Sequence, residues 1–309
     1  MEAFYPFLNP KDVTMKCKPL AILALFACVS SMALAQQADT LQKIRASGAI
    51  TIGHRDSSIP FSYVVGGAEP VGFAIDLCMR VVDAVKGRLN MPALKINYVS
   101  VTSANRIPLV QNGTVDLECG STTNSKLRQE QVAFSPNYIM VGVSAAVKRS
   151  SGIDSLSDVG GKTLVTTAGT TSIPLLRQYK KTEHVEVKEI FGKDHSDSFL
   201  MLASDRAVAF VMDDVLLAGQ IASSQNPKDY KILPDVLRQE PYAIMLRKND
   251  PEFKDLVDKT VTKVMTTGQI NQLYDKWFTS PIPPNKVNLN FPMTSATRDL
   301  YKSPNDKGI

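Results

Sequence analysis

The sequence has little of what metal centres and nucleic-acid surfaces are built from. It holds three histidines, His54, His184 and His195, and four cysteines, and none of them has a partner at the spacing of a metal-ligand pair. We therefore expect no metal site and no cofactor. The net charge of +5 is not concentrated in one lysine-rich block. Because nucleic-acid binding needs a dense basic patch, we expect no nucleic-acid partner.

The catalytic motifs that spacing alone can reveal are also missing. The chain has no G-x-S-x-G, no H-E-x-x-H, no S-x-x-K followed by S-D-N and no glycine-rich nucleotide loop. His54, His195 and several serines could still be arranged as a nucleophile and its base. We predict that the protein is not an enzyme, with an enzymatic role as an alternative.

Long apolar runs are missing too, apart from one near the N-terminus. From Met15 the chain reads MKCKPLAILALFACVSSMALA, which has two early lysines, an apolar segment too short to span a bilayer and an A-x-A site ending at Ala35. We predict that residues 1–35 are a signal peptide whose true start is Met15, and that the protein is periplasmic. A lipoprotein signal at Cys28 is the alternative, although Phe26 is bulky for it.

Two cysteines, Cys78 and Cys119, remain after the predicted cleavage. An even pair in an oxidising compartment is a possible disulfide. Each cysteine also lies in an apolar stretch, where free buried thiols are common, so both interpretations stay open.

Strand and helix patterns alternate along the mature chain, which predicts an α/β fold. The alternation occurs twice, and the helical pair after residue 248 is too small to form a domain. We predict that residues 36–145 and 243–309 form lobe 1 and that residues 146–242 form lobe 2. The chain then crosses between lobes near residues 142–147 and 242–246, and two crossings without a long linker predict a hinge.

Polar side chains follow four of the predicted strands. Because ligands of α/β sheets bind at the carboxyl ends of the strands, these groups predict a ligand cleft between the lobes. Arg55 and Arg106 suggest a ligand with two carboxylates, and Asp213 suggests an ammonium on the same ligand. Glutamate and aspartate fit that description. Taken singly, each arginine could be a surface ion-pair former, His195 a solvated loop residue and Asp213 a helix N-cap.

Several strings carry a closer resemblance: GHRDSSIPFSY, TSANRIPLVQNGTVDLECGSTTN, AGTTS, KDHSDSF, RAVAFVMDD and KWFTSPIPP. They resemble the acidic-amino-acid branch of the family 3 solute-binding proteins of bacterial ABC importers, in order from about Leu41 to the C-terminus. The resemblance implies a type II periplasmic-binding-protein fold, with two lobes joined by two hinge crossovers that close on the ligand.

The resemblance also implies a role for each matching residue. Arg106 takes the α-carboxylate, Ser121 and Thr123 help to hold the α-carboxylate and the α-ammonium, and Asp213 is the ammonium partner. Arg55, Ser103 and His195 match the positions that hold the side-chain carboxylate. Thr171 is the expected hydroxyl from lobe 2.

Together these observations predict an extracytoplasmic receptor that captures L-glutamate or L-aspartate. We expect a monomer that delivers its ligand to the membrane permease of an ABC importer. The alternatives are a ligand-sensing receptor without transport and a periplasmic enzyme of the same fold.

Overall fold

The computed structural model describes Met1, Glu2 and residues 39–309. Apart from those first two residues, the predicted signal peptide, with its Met15 start, its cleavage site and Cys28, lies outside the described residues. Within the described ranges, no helix combines the length and the apolar character that a bilayer crossing requires.

The α-helices of the described residues begin and end as follows: α1 Thr40–Ser47, α2 Phe73–Leu89, α3 Arg106–Gln111, α4 Lys126–Gln129, α5 Ser172–Glu183, α6 His195–Ala203, α7 Asp214–Ala222, α8 Pro251–Thr266, α9 Gln269–Tyr274 and α10 Ser295–Lys302. The strands are β1 Ala49–His54, β2 Ser57–Ser58, β3 Ser62–Tyr63, β4 Lys95–Ser100, β5 Leu117–Glu118, β6 Ala133–Phe134, β7 Ile139–Lys148, β8 Thr163–Thr167, β9 Lys188–Gly192, β10 Ala209–Asp213, β11 Tyr230–Ile232, β12 Arg238–Tyr242, β13 Met245–Leu246, β14 Pro281–Ile282 and β15 Val287–Asn288.

The first large sheet has the strand order β4-β1-β5-β13-β6. β1 pairs in parallel with both β4 and β5, and β13 pairs antiparallel with β5 and β6. The parallel core places the carboxyl ends of β1 and β5 at one edge. We call this sheet and its covering helices lobe 1.

The second large sheet has the order β11-β7-β10-β8-β9, and β12 also pairs with β7. β8 runs parallel to β9 and β10, whereas β7 is antiparallel to β10, β11 and β12. The carboxyl ends of β8, β9 and β10 therefore meet at one edge, where α5, α6 and α7 begin. We call this sheet and its helices lobe 2.

The chain passes from the first sheet to the second between β6 and β7 and returns between β12 and β13. The two crossing segments lie side by side, because Ile139 of β7 pairs with Tyr242 of β12 and Ser135 N donates to Ile244 O at 2.9 Å. All of β7 pairs within the second sheet, so residues 139–145, which the sequence prediction gave to lobe 1, share their pairing with lobe 2. A run of β-formers cannot by itself show which sheet it joins. The exact lobe boundaries remain a proposal.

Both sheets are covered on two faces by apolar side chains. α2 and α8 cover one face of the first sheet, and a smaller cluster that includes Val110 and Val132 covers the other. α6 and α7 cover one face of the second sheet, and a cluster around Leu176 covers the other. Burial on both faces explains why the strands read as near-continuous apolar runs.

An aromatic cluster supports the crossing segments. Phe61 is fully buried, with its ring centroid 5.2 Å from that of Tyr242, 5.6 Å from that of Phe278 and 6.3 Å from those of Phe73 and Tyr138. Large rings packed in this way resist displacement, since they bury much apolar surface and meet edge to face. The cluster therefore holds the ring of Tyr242 in place.

Candidate ligand-binding site

Arg55 follows β1 and is turned into the interior, with 1% of its surface exposed. Its backbone N–H donates to Ser62 Oγ at 2.9 Å, and its Nη2 lies 3.4 Å from Nε2 of His195. Burial, and then the charge of Arg106, lower the pKa of Arg55 to about 10. A guanidinium that is desolvated and lies close to a second cation is stabilised by an anion.

Arg106 is the first residue of α3 and is also buried. Its Nη1 donates to Ser121 O at 3.1 Å and to Thr122 Oγ1, and lies 3.7 Å from Oε1 of Glu118. Glu118, the last residue of β5, is fully buried and accepts from Thr122 Oγ1 at 2.5 Å. Sequence reasoning missed this carboxylate, since nothing in the strand marks which of its faces meets Arg106.

The hydroxyls predicted for lobe 1 lie on three short segments of the same edge. Ser103 occupies the turn before α3 and is buried. Ser121 Oγ donates to Ser58 Oγ at 3.2 Å. Thr123 Oγ1 donates to Oε2 of Glu240 at 2.6 Å and lies 3.4 Å from Thr171 Oγ1, which lobe 2 contributes.

His195 is the first residue of α6, and Asp194 caps that helix by accepting from Asp197 N. It is not the solvated loop residue of the alternative interpretation, because only 1% of its surface is exposed. Burial, and then the charges of Arg55 and Arg106, keep the pKa of His195 well below its usual value, so the ring is neutral. Its Nδ1 lies 3.0 Å from Thr167 Oγ1, a hydroxyl that can donate or accept, so Nε2 can take either role.

Asp213 ends β10 at the N-cap position of α7, but its side chain makes no capping hydrogen bond. Oδ2 instead accepts from the hydroxyl of Tyr242. Burial, and then the charge of Glu240, raise the pKa of Asp213 to about 8. The N-cap interpretation of this residue is therefore replaced by a buried carboxyl group that keeps its proton near neutral pH.

Thr171 likewise sits at an N-cap position, that of α5, without a capping hydrogen bond. Its hydroxyl donates to Oε2 of Glu240 at 2.7 Å. Glu240 lies on β12, is fully buried and was not predicted from the sequence. In sequence it is one charged residue among several before Tyr242, and its burial follows only from the pairing of β12 with β7.

Arg128 of α4 was missed for the same reason, since a short polar helix reads as solvent-exposed. Its Nη1 donates to Thr123 O at 2.9 Å and its Nη2 to Gly169 O at 3.3 Å. Burial, and then the charge of Arg106, lower the pKa of Arg128 to about 10. This side chain therefore connects lobe 1 to the loop before α5.

The two lobes also touch through backbone. A Cβ built on Gly169 would lie 2.6 Å from Cα of Ala104, and a Cβ on Gly219 of α7 would lie 2.3 Å from O of Ile59. Gln220 Nε2 donates to Ser57 O at 2.6 Å. Such close approach brings the strand ends of both lobes together.

Cys78 of α2 and Cys119, which follows β5, are joined in a disulfide with the sulfurs 2.04 Å apart. Both residues are fully buried. The bridge ties α2 to the residue immediately before Gly120 and Ser121, and so supports the lobe 1 side of the cleft. Among the described residues, no group of three or more metal-ligating side chains is placed to hold an ion.

Several buried polar atoms around the cleft have no hydrogen-bond partner within the described ranges. They include the donors Arg55 Nη1 and Arg106 Nε, the Ser103 hydroxyl and the acceptor Asp213 Oδ1. Unpaired buried polar atoms are costly, so a cluster of them marks a place where a ligand supplies the missing partners. The set suits a small molecule with anionic groups near the two arginines and a cationic group at Asp213.

The chain is similar in sequence to known proteins. A sequence profile of the bacterial extracellular solute-binding proteins of family 3 matches residues 50–280. The chain is 50% identical over 269 residues to a Pseudomonas aeruginosa protein named L-glutamate/L-aspartate-binding protein, across 87% of this chain and 89% of that relative. It is 44% identical over 293 residues to the glutamate/aspartate import solute-binding protein of Escherichia coli K12, across 93% of this chain and 97% of that relative.

The fold is similar to that of solved amino-acid receptors. The crystal structure of a mutant of ArgBP from T. maritima superposes with a TM-score of 0.67 at 25% identity, covering 77% of this chain and 98% of that one. The two α/β sheets joined by two crossings are therefore the type II periplasmic-binding-protein fold, as the sequence predicted.

Proposed function

Because the chain belongs to the bacterial extracellular solute-binding proteins of family 3, we propose that it is an exported receptor that captures L-glutamate or L-aspartate between its lobes. The observation that carries the choice of ligand is the pair of buried arginines with unpartnered nitrogens, together with a buried aspartate that has an unpartnered oxygen. Two carboxylates on the ligand would pair with the two arginines, and one ammonium would pair with the aspartate.

The proposed roles follow the positions of the side chains. Arg106 holds the α-carboxylate, because its guanidinium is fixed by Ser121 O on one side and has Nε free on the other. Ser121 and Thr123 help to hold the α-carboxylate and the α-ammonium. Asp213 and Thr171 take the ammonium. A bidentate arginine–carboxylate contact is strong and directional, so Arg106 reads a group that all amino acids share.

Arg55, Ser103 and His195 provide the selectivity for an acidic side chain. Arg55 supplies the charge, while the neutral His195 and the Ser103 hydroxyl supply hydrogen bonds. Because Arg55 is buried, a neutral amide would leave it without a counter-anion, which costs about 1 to 3 kcal/mol or more. The site is therefore built to prefer a side-chain carboxylate over an amide.

The remaining parts of the proposal concern place and partners. The names of the P. aeruginosa and E. coli relatives describe receptors for glutamate and aspartate, and the latter name places its protein in import. By extension, this chain works in the periplasm as a monomer, without cofactor or catalysis. It delivers its ligand to the permease of an ABC importer when the closed lobes dock on it.

Uptake of labelled glutamate and aspartate tests this function. A strain lacking the gene should lose high-affinity uptake, wild-type protein should restore it, and Arg106→Ala should not. Normal uptake in the deletion strain, with binding intact in the purified protein, would instead indicate a sensing receptor. Conversion of bound glutamate, followed by mass spectrometry, would indicate an enzyme of the same fold.

A further inference from the structure

Glu240 is a fully buried carboxylate that touches both lobes. It lies on β12, the strand that leads back to lobe 1, and its Oε2 accepts from Thr123 Oγ1 at 2.6 Å and from Thr171 Oγ1 at 2.7 Å. Its Oε1 accepts from Arg238 Nη2 at 2.5 Å and from Arg238 Nε at 3.1 Å. All four of these contacts point hydrogens at Glu240.

A carboxylate can only accept hydrogen bonds, so both threonine hydroxyls must donate to it. Each hydroxyl has a single hydrogen, and once that hydrogen is committed the oxygen offers only lone pairs to anything else. Thr123 Oγ1 and Thr171 Oγ1 lie 3.4 Å apart, with their hydrogens turned toward the same carboxylate oxygen. Glu240 therefore turns two ambivalent groups into fixed acceptors.

β12 brings a third acceptor to the same place. Side chains two residues apart on a strand share a face, so Tyr242 points to the same side as Glu240. Tyr242 donates to Asp213 Oδ2 and leaves Oδ1 buried without a partner in the described chain. An alkyl-ammonium carries three N–H donors, which match three acceptors at Thr123, Thr171 and Asp213.

We infer that Glu240 is a positioning residue that makes the cleft selective for ligands with an ammonium group, through the orientation it imposes on Thr123 and Thr171. The inference rests on the proposed function and deepens it, since it names which group of the ligand hydrogen-bonds to these hydroxyls. It also assigns the Thr123 hydroxyl to the ammonium, leaving the carboxylate to Arg106.

Glu240→Gln is the direct test, with L-glutamate and glutarate as ligands. Glutarate has the same two carboxylates and no ammonium. Because Arg238 donates twice to the Oε1 position, the amide oxygen of glutamine should take that position and the N–H₂ group should replace Oε2. Neither threonine hydroxyl can donate to an N–H₂ group, so each is free to turn its hydrogen toward the ligand. We expect the ratio of the glutarate Kd to the glutamate Kd to fall at least about tenfold by calorimetry.

If Glu240 had only a structural role, Glu240→Gln would weaken the binding of glutamate and of glutarate by the same factor. An unchanged ratio of the two Kd values would therefore overturn the inference. Loss of glutamate affinity with glutarate undetectable in both proteins would also overturn it. Glu252→Gln is the matched control, because Glu252 forms an exposed ion pair with Arg88 at the C-terminal end of α2 and contacts none of the residues around Glu240. The control should leave the ratio unchanged.

A second pair of variants tests the same inference if Glu240→Gln does not fold. Thr171→Val removes one acceptor and should lower the same ratio, whereas Thr171→Ser keeps the hydroxyl and should preserve it. A ratio that is equal in the two variants would contradict the inference. If the wild-type protein binds neither acidic amino acid, the proposed function fails, which is distinguishable from a failure at Glu240.

Discussion

Nη2 of Arg55 lies 3.4 Å from Nε2 of His195, and the two side chains come from opposite lobes. Both are buried, and the pKa of His195 is held well below its usual value by burial and by the charges of Arg55 and Arg106. The pair therefore presents a single positive charge and a neutral ring that can act as donor or acceptor. Only when the lobes are together are the two side chains side by side.

Arg55→Ala tests the charge of this pair. Removing one partner of a buried charged contact costs about 2 to 5 kcal/mol, so glutamate affinity should fall at least about thirtyfold. Glutamine affinity should not fall and should rise, since the charge that an amide leaves unpaired at Arg55 is then absent. Calorimetric titration with both ligands gives the two values.

Arg45→Ala is the matched control, because Arg45 is exposed on α1. It should leave both affinities unchanged. Equal losses for glutamate and glutamine in Arg55→Ala would mean that Arg55 does not read the ligand side chain.

Gly219→Ala tests whether the lobes must meet for binding. A methyl at this position collides with Ile59 O of lobe 1, yet it favours the helical conformation of α7. The free energy of unfolding without ligand should stay the same or rise by up to about 1 kcal/mol. Glutamate affinity should fall at least about tenfold.

Gly87→Ala on α2 is the control for the helix effect, because a Cβ there meets nothing within 4 Å. It should raise stability without changing affinity. Unchanged glutamate affinity in Gly219→Ala, measured alongside this control, would show that binding does not need the contact at Ile59.

The raised pKa of Asp213 predicts a pH dependence. Burial and Glu240 raise this pKa to about 8, and an ammonium ligand needs the ionised carboxylate. Binding near neutral pH should therefore release a proton, and glutamate affinity should rise between about pH 6 and about pH 8. His195 cannot produce this slope, since its pKa is shifted downward and the ring stays neutral over the range.

The stability of the ligand-free protein should show the opposite pH dependence and fall as the pH rises. A group whose pKa is raised by folding stabilises the native state below its unfolded pKa, and that contribution is lost as the pH rises through about 8. Asp213→Asn should remove both slopes. Calorimetry in buffers of different ionisation enthalpy measures the proton release, and a pH-independent heat and affinity would rule out the assignment.

The disulfide should contribute more to the stability of the fold than to ligand binding. Cys78 and Cys119 are 41 residues apart, and closing a loop of that length stabilises by about 4 kcal/mol in the chain-entropy treatment. Denaturant unfolding of the oxidised protein and of the Cys78→Ala/Cys119→Ala variant should show a loss of about 2 to 4 kcal/mol. Equal midpoints and slopes would mean that the bridge contributes nothing to stability.

Much of the fold was readable from the sequence because it depends on local pattern. Alternating strands and helices predicted the α/β class, and polar residues after apolar strands marked the carboxyl ends where Arg55, Ser121 and Asp213 lie. The resemblance then assigned individual roles. The structure places those residues at the boundary between the two lobes, most of them buried, whereas the assigned contacts with a ligand stay predictions.

The parts that escaped prediction depend on which elements pair. Glu118, Glu240 and Arg128 look like ordinary surface charges until β5 is placed beside α3 and until β12 and α4 are placed against the other lobe. The membership of β7 in the second sheet is equally invisible, since an apolar run pairs with any suitable neighbour. The contacts of the C-terminal residues depend on pairing in the same way, since Lys126 N donates to Ile309 O at 2.9 Å and Asn137 N to Asn305 O at 2.8 Å, beside the crossing.

Calorimetric titration of the processed chain, residues 36–309, with L-glutamate, L-aspartate, L-glutamine and L-asparagine tests the central claim most directly. If the two buried arginines and Asp213 form one site for an acidic amino acid, glutamate or aspartate should bind at least about thirtyfold more tightly than either amide. An amide that binds as tightly as its parent acid, or no binding by either acid, would contradict the account.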